Sequence, residues 1–199
     1  MTGAAPSSET PSREGKGFEM ADPPQTVRTL ISAPQIAARV REIGEEISDR
    51  EDASAGFTPE PLVVLGVMTG GVIFLADLVR AIRRPIVLGV VHARSYRGTQ
   101  AGPLETSLQA MPEVSGRDVL LVDDIFDTGR TLSRLKQEVL DRGAARVRIA
   151  VMLRKDVARE TTDAPDWVGF EIADEFVVGY GLDLDGQYRH LPDIGVPVW

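Results

Sequence analysis

The sequence predicts an α/β fold, a twisted and mainly parallel sheet flanked by helices. Two observations carry this. Apolar runs rich in Val, Ile and Leu recur at residues 62–67, 86–93, 119–122 and 147–153. Unbroken rather than alternating apolarity is the pattern of strands covered on both faces. Between several of these runs lie stretches with apolar residues at helical spacing, so strand and helix alternate as βα units.

Taken in order, residues 1–24 are rich in Ser, Pro, Thr and Gly with no periodicity, and are expected to be a disordered tail. Residues 25–199 are expected to form a single domain. A short leading strand is predicted over 27–31, then a helix capped by Ser32, with Pro34 in its first turn and Ile36, Val40, Ile43 and Ile47 on one face. That helix should end in the polar run 48–54. The strand at 62–67 leaves through Met68, Thr69, Gly70 and Gly71 into a helix over 72–82. The strand at 86–93 contains His92, read as structural. Residues 95–116, with Gly98, Gly102, Pro103 and Pro112, read as a long polar loop in which Leu104, Thr106 and Leu108 alternate as an arm could. The run at 147–153 ends in Arg154 and Lys155, and in a parallel sheet this puts Lys155 on the edge that carries Asp127.

The chemistry concentrates at 119–131. An apolar strand runs into Asp123 and Asp124, then Ile125 and Phe126, then Asp127, Thr128, Gly129, Arg130 and Thr131, with Leu132, Leu135, Val139 and Leu140 marking a helix that stops at Gly143. A helix N-terminus presents unpaired N–H groups and a partial positive charge, which suits a phosphate monoester. Thr128 and Thr131 add hydroxyl donors, and Gly129 lets the backbone approach the anion without a Cβ between them. Asp123 and Asp124 precede the turn, where they can accept hydrogen bonds from sugar hydroxyls.

The whole-chain quantities set bounds. With 199 residues, 43% hydrophobic and 26% charged, the chain is long enough for a substantial core. A net charge of −8 argues against a nucleic-acid surface or an anionic membrane as main partner. The absence of cysteine excludes a disulfide framework and a thiol nucleophile and fits a reducing compartment. No apolar signal region or membrane-length run is read, so the expected location is the cytoplasm.

The segment 119–131 resembles the phosphoribosyl-pyrophosphate (PRPP) signature of the type I phosphoribosyltransferases. The run 166–183, with Phe176, Val177 and Asp183, and the continuation from Tyr188 through Arg189 to Gly195, resemble the base-binding hood of the hypoxanthine-guanine members. The resemblance covers about residues 27–196 and implies that family's fold, with a hood from both chain ends. It implies transfer of 5-phosphoribosyl from PRPP to N9 of hypoxanthine or guanine, giving IMP or GMP and pyrophosphate. It further implies a PRPP site at Asp123, Asp124, Asp127, Thr128, Gly129, Arg130 and Thr131, with Asp127 as the base acting at N7. Thr69, Gly70 and Arg189 would meet pyrophosphate, with a cis peptide at Met68–Thr69. Lys155 would donate to O6, Phe176 would stack on the purine, and Val177 would offer its backbone. Ser95 and Tyr96 match a mobile loop that closes over the site. Mg²⁺ would be held by Asp183, with Asp123 and Asp124 as further candidates, and the assembly would be a homodimer or homotetramer. Two positions depart from the pattern: Asp123 stands where Glu is usual, and Thr69 where Lys or Arg is common. A competing class is a PRPP-binding regulator of the pyrimidine-operon RNA attenuation type, which the acidic balance disfavours.

Overall fold

The structure is a computed structural model that describes residues 24–49, 60–97, 101–108, 111–158 and 160–199. Apart from residue 24, the expected tail lies outside the described residues, as does most of the polar run 48–54.

The main sheet has six strands in the order β4-β3-β2-β5-β6-β7. Strands β2 (Leu62–Met68), β5 (Asp118–Phe126) and β6 (Arg146–Lys155) occupy its middle and are buried almost throughout, as their unbroken apolar runs require. β3 (Ile86–Arg97) and β7 (Trp167–Ile172) flank them, and every pairing among these five is parallel. Only β4 (Ala101–Ser107) runs against its neighbour, β3.

Helices cover both faces. α1 (Ala33–Asp49) and α2 (Val72–Ala81) pack on one side, where Ile36, Ile43, Phe74 and Leu78 meet Leu62, Leu120 and Trp167. α3 (Arg130–Asp141) covers the other, with Leu132, Leu135 and Val139 against Val63, Leu121 and Ile149. The start of α1 follows its chemistry: the Gln35 side-chain oxygen accepts from both the amide and the hydroxyl of Ser32, and the Ser32 carbonyl accepts from Ile36.

The hood is a two-stranded antiparallel ribbon of β1 (Thr26–Ile31) and β8 (Ile194–Val198), so both chain ends build it as expected. Two expectations need correction. The segment 95–116 is not one long loop: β3 continues through Ser95 and Tyr96 to Arg97, and β4 returns beside it with Ser95 opposite Leu104. The Gly and Pro residues there hid an edge ribbon, because an edge strand tolerates residues that a central strand does not. The first part of the run 166–183 is likewise not hood. It forms β7, hydrogen-bonded to β6 from Ala150↔Trp167 to Lys155↔Ile172.

Candidate active site

Parallel strands bring their carboxyl ends to one edge of the sheet, and the predicted residues gather there. β5 ends at Phe126, and Asp127, Thr128 and Gly129 turn the chain into α3. Gly129 has φ 85°, and a Cβ on it would stand 2.5 Å from both Phe126 Cζ and Thr161 Cγ2, so conformation and space both demand glycine. A cavity of 340 Å³ opens over this turn, lined by residues 123–132 and Glu160. Its floor is the N-terminus of a 12-residue helix. Sequence reasoning missed Glu160, whose amide donates to the Thr128 carbonyl at 3.0 Å. It lies in a polar connection, and no local pattern distinguishes it from its neighbours.

The three acids of the segment differ in setting. Asp127 is exposed at the lip of the cavity, whereas Asp123 is only 9% exposed. Asp123 Oδ1 accepts the Asp124 amide at 2.9 Å. Burial, reinforced by the charge of Asp124, holds the Asp123 carboxyl well above the ordinary carboxylate range. Burial also raises Asp124, against the lowering effects of its hydrogen bonds and of the Arg189 charge. The free protein therefore resists placing two bare charges side by side, and a ligand bringing hydroxyl donors or cations would relieve that resistance.

Asp124 also meets a second loop. A Cβ on Gly70 would fall 1.8 Å from Asp124 Oδ2, and one on Gly71 would come 3.1 Å from the Asp123 Cα. The glycine pair at the exit of β2 thus lets two strand ends touch. The Met68–Thr69 peptide is cis, as the resemblance implied. From the hood, Gly181 lies on the Gly70 carbonyl so closely that a Cβ would be 2.2 Å from that oxygen. The Gly181 carbonyl accepts from Arg189 Nη1, and Arg189 Nη2 pairs with Asp183 Oδ1 at 2.7 Å. The other Asp183 oxygen accepts the Gly186 amide at 2.7 Å. Asp124, Thr69, Gly70, Asp183 and Arg189 therefore converge around one loop.

The residues expected to hold a base form a separate group. Lys155 ends β6, and its ammonium meets Asp174 Oδ1 at 2.9 Å. The Glu175 amide closes a tight turn by donating to the Ala173 carbonyl, and Phe176 follows, 48% exposed. Val177 beside it is 5% exposed, and the Val178 amide and carbonyl both bond Gly195 of β8 at 2.9 Å. An aromatic face this open, on a backbone this firmly anchored, can stack against a flat ring. Ser95 and Tyr96 lie in β3, past the point where Met68 ends its pairing with His92, and so beyond the same sheet edge.

Among the described residues no three His, Cys, Asp or Glu side chains gather as a metal cage. Magnesium does not need one, because it is bound through one or two carboxylates together with substrate oxygens. Asp183 supplies a hard carboxylate of that kind. No helix among the described residues is long and apolar enough to cross a membrane.

Comparison with known proteins agrees with this geometry. Residues 27–185 match the family described as the phosphoribosyl transferase domain. The chain is 39% identical over 168 residues to the hypoxanthine-guanine phosphoribosyltransferase of Mycobacterium avium, covering 83% of each. It is 35% identical over 172 residues to the hypoxanthine phosphoribosyltransferase of Salmonella typhimurium, covering 85% of this chain and 94% of that one. Among solved structures, the Trypanosoma cruzi hypoxanthine phosphoribosyl transferase, studied for the role of its C-terminal region in oligomeric state and activity, superposes with a TM-score of 0.79. It is 30% identical, over 89% of this chain and 93% of that one.

Proposed function

The chain belongs to the phosphoribosyl transferase family, and from that premise we propose how its residues divide the work of purine salvage. The reaction transfers 5-phosphoribosyl from PRPP to N9 of hypoxanthine or guanine, giving IMP or GMP and pyrophosphate. The observation that carries the assignment is the turn after β5. There a helix N-terminus, a left-handed Gly129 and a 340 Å³ cavity make a phosphate cradle directly beside three carboxylates.

In this reading the amides of 128–131 and the hydroxyls of Thr128 and Thr131 hold the 5′-phosphate, and Arg130 adds charge. Asp124 and Asp123 accept from the ribose hydroxyls. Phe176 stacks on the base, the Val177 backbone meets its edge, and Lys155 turns from Asp174 to donate to O6. As the bond from C1′ to pyrophosphate breaks, positive charge builds on the ribose and N9 closes on C1′. The proton on N7 then passes to Asp127, which lines the cavity and is exposed. Thr69, the Gly70 amide and Arg189 receive the departing pyrophosphate, with Arg189 released from Asp183 to do so. Mg²⁺ would be held by Asp183 with substrate oxygens, Asp123 and Asp124 being further candidates. When bound, it would neutralise charge on pyrophosphate. Ser95 and Tyr96, next to the Arg97↔Ala101 pair at the far end of the β3–β4 ribbon, belong to the element that would close over the site and exclude water.

Residues 25–199 act as one domain in this assignment, with no nucleic-acid or membrane partner. Self-association as a homodimer or homotetramer belongs to the same reading, oligomeric state being a property studied in the Trypanosoma cruzi relative, and the cysteine-free sequence suits the reducing cytoplasm. The regulatory alternative is not favoured. The test is a spectrophotometric assay of hypoxanthine, guanine, xanthine and adenine with PRPP, with and without Mg²⁺. Turnover of a 6-oxopurine that stops in EDTA is expected. Absence of turnover with all four bases would overturn the assignment.

A further inference from the structure

Tyr180 stands between Gly179 and Gly181, and all three have positive φ: 94°, 49° and 102°. A glycine takes that conformation freely, whereas a residue with a Cβ takes it only where its surroundings impose it. Here they do. The Tyr180 ring is 6% exposed in the core cluster shared by α1, α2 and the hood. Its amide donates to the Leu191 carbonyl at 2.8 Å, and its hydroxyl donates to Asp77 Oδ2 at 2.7 Å. The other Asp77 oxygen pairs with Arg80. Burial, and then Asp77, push the phenol well above its ordinary pKa, so the hydroxyl remains a donor.

The two ends of this contact are what give it meaning. Asp77 lies on α2, the helix that begins directly after the loop 69–71. Tyr180 immediately precedes Gly181, which lies on the Gly70 carbonyl and whose own carbonyl holds Arg189. Gly70 in turn touches Asp124. One hydrogen bond thus ties the hood turn to the helix behind the loop, with the loop caught between them. We propose that Tyr180 and Asp77 form a clasp that positions the loop 69–71 and the Asp183–Arg189 pair for the pyrophosphate half of the substrate. Tyr180 is a positioning residue, acting through Gly181 and Gly70 without touching substrate. The proposal rests on the functional reading above. The 5′-phosphate turn is built by other elements, β5 and α3, and does not depend on the clasp.

The test is calorimetric binding of PRPP, of pyrophosphate and of IMP, each with Mg²⁺, to the wild-type protein and to Tyr180→Phe, Asp77→Ala and Asp77→Asn. IMP carries the 5′-phosphate and the base but no pyrophosphate, so it serves as the internal control. Tyr180→Phe and Asp77→Ala should each weaken PRPP and pyrophosphate about tenfold, as loss of a hydrogen bond to a charged group does. Both should leave IMP affinity unchanged. Asp77→Asn keeps an acceptor oxygen and should restore most of the binding, and the double variant Tyr180→Phe/Asp77→Ala should be no worse than either single one. Loss of IMP affinity in proportion, or full retention of pyrophosphate affinity, overturns the clasp. If Tyr180→Phe fails to fold, Asp77→Ala, on the partly exposed flank of α2, gives the same reading. A wild-type protein that binds neither PRPP nor IMP would instead overturn the functional assignment.

Discussion

Asp127 and its neighbours show how one residue type meets different settings within one short segment. Asp127 is exposed at the cavity lip, whereas Asp123 is buried and Asp124 half-buried, and burial raises both of those carboxyls. Asp127→Asn keeps the size but loses the base, so kcat should fall by about 10²–10⁴ while calorimetric PRPP affinity holds. Rates within about threefold of wild type would show that the proton goes elsewhere. Gly70→Ala makes a complementary case. The new Cβ would fall 1.8 Å from Asp124 Oδ2, so the loop or the acid must move. The expected cost is about 1–3 kcal/mol of overpacking, read as weaker pyrophosphate binding and a lower Tm. The position of Asp127 was legible because strand, turn and helix signals are local. The requirement for glycine at 70 was not, since the atom it must avoid sits on another strand.

Elements position these residues through ties the sequence does not announce. The strap 160–163 lies across the start of α3: the Glu160 amide bonds Thr128, Thr161 Oγ1 accepts from Ser133 at 2.8 Å, and Asp163 pairs with Lys136 at 2.6 Å. Lys136, together with hydrogen bonds from Ser133 and Thr161, holds the Asp163 carboxyl below its ordinary value, against a smaller cost of burial. A lowered folded pKa contributes stability above the unfolded pKa, and that contribution is lost as pH falls through the folded value. Asp163→Asn should therefore cost about 0.2–1 kcal/mol near pH 7, small because both side chains are partly exposed. The cost should vanish in acid. Urea unfolding at the two pH values checks this, and a deficit independent of pH would show that the amide strains the strap. The strap went unread because its residues form no periodic pattern. β4 was legible only in part: Leu104 and Thr106 alternate, but the pairing with β3 that makes the segment a strand is not written in its own residues.

At the scale of the molecule, the proposed site draws on two parts: the six-stranded sheet, which ends in the turn 127–129, and the β1–β8 ribbon, which anchors the segment of Phe176 and Val177. Gly195 is the joint between ribbon and platform. A Cβ there would come 2.6 Å from Val27 Cγ1, and both backbone groups of Gly195 bond Val178. Gly195→Val should spread the ribbon and raise KM for hypoxanthine about tenfold or more, with KM for PRPP much less affected. Equal changes in both would mean that hood and sheet respond as one unit. The sheet was legible because buried parallel strands write themselves as apolar runs, whereas the roles given to Phe176 and Val177 rest on their match to a known pattern. The pairing of β1 with β8 also orders events during synthesis. β1 is made before every other described strand and its partner after all of them, with Thr26 opposite Val198. A nascent chain can assemble its phosphate cradle while β1 still presents unpaired N–H and C=O groups, the kind of edge that other chains and chaperones capture. On the proposed division of the site, the base platform gains its anchor at Gly195 only after β8 has been made, later than the turn that would hold the sugar phosphate.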